Sequence, residues 1–148
     1  MPTIEVTSTP LTASTRVRVA IRLTRWLSDR GSHTAHAVVV FRAAEPMTYF
    51  AGGVPLSRYG EGDEGEAKRA RWSSVVCRVH PDRNHAYISE LAHEVREALG
   101  LTGESDHCVI RFEPTRPDRV LYAGTGGPTI DSPALAAANQ EGQAHADN

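Results

Sequence analysis

The chain has 148 residues, enough for one domain with a buried core. Its 40% hydrophobic and 23% charged residues are ordinary for a globular protein, which sets aside a disordered or fibrous chain. A formal net charge of −2 gives no pull toward nucleic acid or an acidic membrane, and no apolar run approaches bilayer-spanning length.

Thr3 to Thr9 alternates and is rich in β-branched residues, which predicts a strand ended by Pro10. Thr12 or Ser14 is placed to cap a helix running to about Arg30. In it Val17, Ala20, Ile21 and Leu27, and Val19, Leu23 and Trp26, recur at helical spacing, with Gly31 as the stop signal. Ala35 to Ala43 holds the run Val38-Val39-Val40-Phe41 and predicts a strand buried on both faces. Pro46 to Pro55, with Tyr49, Phe50, Gly52 and Gly53, reads as a short hairpin or crossover. Leu56 to Arg71 has Gly60, Gly62 and Gly65 among charged residues and no apolar periodicity, so it predicts an exposed loop inserted in the domain.

The pattern then recurs. Trp72 to His80 predicts a strand, broken by Pro81. Asp82 or Asn84 caps a second helix to about Leu99, with Ile88, Leu91, Ala92, Val95 and Leu99 on one face and Gly100 at its end. His107 to Glu113 predicts another strand, followed by a Pro-rich turn and a short segment, Val120 to Tyr122. The domain spans residues 2–124, and residues 125–148, rich in Ala, Gly, Gln, Asn and Asp, read as a disordered tail. Two β-α-β units, at about 3–43 and 73–113, give an α+β fold. Right-handed crossovers lay both helices on one face of a four-stranded sheet. No sequence remains to cover the other face, so self-association is expected.

Pro2 directly after Met1, the stretch Phe41-Arg42-Ala43-Ala44-Glu45-Pro46-Met47-Thr48-Tyr49-Phe50-Ala51-Gly52-Gly53-Val54, the pair Leu11-Thr12, Arg83 before the second helix, and Phe112-Glu113-Pro114 followed by Val120 and Tyr122 occur in a telling order. Together they resemble the tautomerase superfamily, over roughly residues 2–124, and within it the group of cis-3-chloroacrylic acid dehalogenase. The resemblance implies the fold of 4-oxalocrotonate tautomerase and macrophage migration inhibitory factor, assembled as a homotrimer, and an isomerase that needs no cofactor. It implies catalysis by the amine of Pro2 once Met1 is removed. A proline N-terminus is strongly basic in water; an apolar pocket or a nearby cation disfavours its protonated form and lets it act as a general base beside a carbonyl. The substrate implied is a 2-oxo acid or β-dicarbonyl compound.

By the same resemblance Arg83 binds the substrate carboxylate at a helix N-terminus, where dipole and amides also favour an anion. Where the dehalogenases carry a second arginine this chain has Pro81, and His80 or Arg78 is the candidate substitute. Tyr49 and Tyr122 are candidate acids or hydrogen-bond donors. The dehalogenase helix-one histidine falls at Leu27, its water-activating glutamate at Leu121 and its tyrosine near Ile110. Three polar groups needed for hydration are thus apolar here, which speaks against dehalogenation or hydration and suits either tautomerisation or a larger hydrophobic substrate. A secondary amine can also form an iminium, so decarboxylation or carbon–carbon bond formation stays open, as does a non-catalytic binding trimer of the same fold.

Other signals carry less. Arg18, Arg22 and Arg25 form a helical stripe without interleaved aromatics, read as a solvated face and not a nucleic-acid surface. His33, His36, His80 and His85 fit no standard metal spacing. Gly124, Gly126 and Gly127 do not lead a strand into a helix, so they form no nucleotide loop. Cys77 and Cys108 read as buried free thiols of a soluble cytoplasmic protein, and no charged-then-apolar leader stands at the N-terminus.

Overall fold

The computed structural model describes residues 2–45, 47–56, 70–103, 106–124 and 127–130. β1 (Thr3–Ser8) turns Ile4, Val6 and Ser8 inward and alternates them with half-exposed Thr3, Glu5 and Thr7. Thr12 caps α1 (Ala13–Ser28), its Oγ1 accepting from the Thr15 amide at 3.1 Å. The helix stops two residues short of the expected Arg30, because Gly31, at φ 88°, bends the chain and the Ser32 amide donates back to the Leu27 carbonyl at 3.1 Å. Of the two apolar series on α1, Val19, Leu23, Trp26 and Leu27 are buried; Val17 and Ile21 sit on an outer face and are 58% and 55% exposed. A helix in contact with a sheet on one side can bury only one such stripe.

β2 (Val38–Ala43) runs parallel to β1. A hairpin follows, β3 (Phe50–Ala51) against β4 (Val54–Pro55), turned by Gly52 at φ 57° and Gly53 at φ 80°. Positive φ at both central positions is what a tight two-residue hairpin requires, and glycine supplies it without strain. The ends of the expected exposed loop are anchored: Leu56 and Ala70 are buried, the Leu56 amide donates to the Tyr49 carbonyl at 2.8 Å, and the Ala70 amide donates to the Leu99 carbonyl at 3.1 Å. Residues 57–69 of that segment lie outside the described residues.

β5 (Trp72–Val79) pairs antiparallel with β1. Asn84 caps α2 (His85–Leu99), accepting from the Tyr87 amide at 2.9 Å, and Gly100 at φ 72° closes it. β6 (His107–Pro114) runs parallel to β5. The sheet order is therefore β2-β1-β5-β6. β7 (Leu121–Gly124) pairs with β8 (Gly127–Ile130), so strand structure continues past the expected domain end at 124. Residues 131–148, the rest of the expected tail, lie outside the described residues.

The two β-α-β units are related by a pseudo-twofold axis between β1 and β5. In each, a strand pairs with the one 35 positions later: Thr3 opposite Val38, and Trp72 opposite His107. The match extends one residue before the strands. The Val38 amide donates to the Pro2 carbonyl at 3.1 Å, and the His107 amide to the Arg71 carbonyl at 3.2 Å.

Both helices pack on one sheet face over a core of Ile4, Val6, Val75, Cys77 and Val79 from the strands with Leu23, Leu27, Leu91, Val95 and Leu99 from the helices. Each such side chain contributes roughly 1.5–3 kcal/mol on full burial. Among the described residues no helix packs on the opposite face, and Val109 on it is 46% exposed. This corrects the expectation for β2: its Val38–Phe41 run is only half buried, because β2 is an edge strand with one face uncovered. Among the described residues no helix is long and apolar enough to cross a membrane.

Candidate active site

Pro2 sits half-buried at the head of β1, held by the hydrogen bond from Val38. Strand order and direction gather a set of chain ends there: the start of β2, the finishes of β5 and β6, the end of α1 and the start of α2. Arg78, Arg83 and His80 all fall at this end, as β5 runs out into α2.

Arg78 lies opposite Thr3 on one side and Glu113 on the other. Its Nη1 donates to Glu5 Oε1 at 2.7 Å, and its Nε is 3.1 Å from Glu113 Oε2. The guanidinium is thus bracketed by carboxylates of its own chain, and the hydrogen bond to Glu5, before the charges of Glu5 and Glu113, raises its pKa. Its attraction for a third carboxylate is correspondingly reduced.

Arg83 has different surroundings. Its guanidinium carbon lies 4.4 Å from the centre of the Tyr87 ring, and its Nη2 donates to the Arg30 carbonyl at 3.4 Å. Tyr87 meets Trp26 edge-on, with ring centres 5.1 Å apart. Arg30 in turn stacks on Trp26 at 3.8 Å and pairs with Glu90 at 3.1 Å. Burial raises the Tyr87 pKa, opposed by the charges of Arg83 and Arg30. Tyr87, Trp26 and Arg30 did not stand out in the sequence as site residues. Their signal is local: Trp26–Arg30 and Arg83–Tyr87 are each four positions apart, the first pair straddling the end of α1 and the second the start of α2.

His80 is exposed, its Nδ1 accepting from the Asp82 amide at 3.2 Å, with the Asp82 carboxylate 3.5 Å away. Tyr49 is placed elsewhere. Its ring lies 5.2 Å from Trp72, at the start of β5 and so at the far end of the strand from Arg78, roughly 20 Å away at the usual strand rise. Tyr122 lies in β7 opposite Thr129; its side chain is outside the described residues.

The arginine stripe on α1 is partly tied down. Arg22 forms a bidentate pair with Glu94 of α2, Nη2 to Oε2 at 3.2 Å. Beside it a groove of about 690 Å³ crosses the exposed Val17 and Ile21. Among the described residues no three His, Cys, Asp or Glu side chains converge as a metal-binding group.

No family model and no curated protein matches the sequence. Solved structures do. Native fused 4-OT superposes with a TM-score of 0.64 at 15% identity, covering 89% of this chain and 98% of its own. The fold is that of the tautomerase superfamily. Pt0534, solved as inactivated by 2-oxo-3-pentynoate, shares the tautomerase fold with this chain at a TM-score of 0.61 and 13% identity, over 82% of this chain and 93% of its own. Macrophage migration inhibitory factor of Toxoplasma gondii gives 0.57 at 10% identity, over 86% and 99%. Fused 4-OT has also been solved as symmetric and asymmetric trimers.

Proposed function

We propose that this chain is a cofactor-independent tautomerase in which the Pro2 amine, freed by removal of Met1, is the general base on a 2-oxo acid, with Arg83 as anchor for its carboxylate. The observation that carries the reading is the placing of Pro2 at the head of β1, at the end of the sheet where Arg83 and the α2 N-terminus also lie. The tautomerase fold and the inactivation of Pt0534 by a 2-oxo acid analogue support it. In the proposed step the Pro2 nitrogen takes a proton from the carbon next to the 2-oxo group and passes it to the carbonyl oxygen, giving the enol; ketonisation of an enol is the same transfer in reverse. The Arg83 guanidinium stabilises the carboxylate and the developing enolate. The open sheet face is covered by further copies of the chain, as a trimer like those of fused 4-OT.

The test is ketonisation of phenylenolpyruvate or 2-hydroxymuconate by the native protein and by Pro2→Ala. Loss of at least about a hundredfold in kcat/KM on substitution is expected for a lost general base. Equal activity of the two proteins would reject the base assignment. A second reading, a non-catalytic oligomeric binding protein, is favoured by the bracketing of Arg78 between Glu5 and Glu113, which leaves one fewer cation for catalysis. Intact mass of the native protein separates the two: retained Met1 leaves Pro2 in a peptide bond, without a basic nitrogen.

A further inference from the structure

We infer that Tyr87 is a positioning residue that pre-orients Arg83 for a carboxylate, so that this site discriminates acids from their neutral esters. The inference rests on the proposed role of Arg83 and adds the part that makes it selective. An arginine side chain has many rotamers, and the cost of fixing one falls on binding unless the folded protein has already met it. Here two interactions fix the group. The guanidinium carbon sits over the Tyr87 ring, 4.4 Å from its centre, and one N–H is taken by the Arg30 carbonyl at 3.4 Å. Neither carries a formal charge, so among the described residues no carboxylate neutralises the cation, and the remaining N–H groups lie in the guanidinium plane, where a carboxylate accepts bidentately.

The support is itself fixed. Tyr87 abuts Trp26 edge-to-face, at 5.1 Å and 62°, and Trp26 is buried. Arg30 lies over the Trp26 ring at 3.8 Å, and its Nη2 is held by Glu90 at 3.1 Å, which anchors the residue whose carbonyl Arg83 uses. The four side chains form a stack across the junction of α1 and α2, with the charge of Arg30 paired and that of Arg83 left for a ligand. Arg78, pinned between two carboxylates, shows the alternative that Arg83 avoids.

The experiment is equilibrium binding of phenylpyruvate and of its methyl ester to the full chain, read from intrinsic fluorescence. Arg83→Ala is expected to weaken acid binding about tenfold and leave ester binding within twofold. Tyr87→Leu is expected to weaken acid binding by about three- to tenfold, again sparing the ester, while Tyr87→Phe, which keeps the ring face, stays within about twofold of native. Arg83→Lys retains the charge without a planar group to stack, and is expected to lose acid binding as Tyr87→Leu does; it decides the matter if Tyr87→Leu does not fold. Native-like acid binding by Tyr87→Leu or by Arg83→Lys, with binding weakened in Arg83→Ala, overturns the positioning role and leaves the anchor standing. An unchanged acid-to-ester ratio in Arg83→Ala, or no binding of either compound by the native protein, rejects the anchor and the inference with it.

Discussion

Arg78 and Arg83 leave the same strand end and meet different electrostatic surroundings. Both were candidates from the sequence, but the carboxylate that takes Arg78 lies on β1, 73 positions earlier, where no local pattern points to it. The partner of Arg83 is only four positions along, just across the Asn84 cap of α2, within the reach of local sequence. Long-range pairing is not visible in a local stretch of sequence, and it decides which of two similar cations is held by carboxylates. The same scale yields a pH effect at Cys77. Burial, and then Cys108, pushes the Cys77 thiol up to about 12. A thiol pKa raised in the folded state favours the protonated, folded form. The stability this gives is fully present below the unfolded value near 9 and is lost as pH rises from there through about 12. From about pH 8 to about pH 11 the native chain is expected to lose on the order of 2 kcal/mol more than Cys77→Val, measured by urea unfolding at each pH.

At the scale of elements, both helix starts and the end of α2 were legible because capping is local. Thr12 and Asn84 accept from amides three residues on, and Gly100 takes the left-handed turn that ends α2. Gly100 donates to the Glu97 carbonyl at 3.2 Å, and Leu101 to that of Arg96 at 3.0 Å, closing the end of the helix. Gly100→Ala forces a Cβ into this conformation and is expected to cost about 1 kcal/mol, seen as a lower midpoint in denaturant at unchanged slope. Two features were not legible. A run of apolar residues cannot say whether a strand is central or at the edge, and β2 proved to be an edge strand. Nor could spacing alone say which stripe of α1 faces the sheet, since Val17 and Ile21 keep helical period as well as Val19 and Leu23 do.

For the whole molecule, the recurrence of strand, helix and strand was enough to give the fold, because right-handed crossovers leave few ways to assemble two such units. The uncovered sheet face followed from the same count of elements, and the exposure of Val109 is its visible sign. Self-association through this face is expected to give a sedimentation mass that is a multiple of 16.1 kDa. Val109→Arg, which places a charge where another copy would pack, is expected to lower that mass; a native chain that sediments at 16.1 kDa would refute it.

The pseudo-twofold axis also sets a stoichiometry. It carries the place of Pro2 onto Arg71, which makes the matching hydrogen bond to the head of β6. Arg71 follows buried Ala70 in mid-chain, and its peptide N–H donates to Thr9 Oγ1 at 3.1 Å. Chain continuity forbids an amine there. Each chain therefore has two corresponding corners, and with Pro2 as the base proposed above only one of them could carry it, so an assembly of such chains would hold half as many reactive ends as it has such corners.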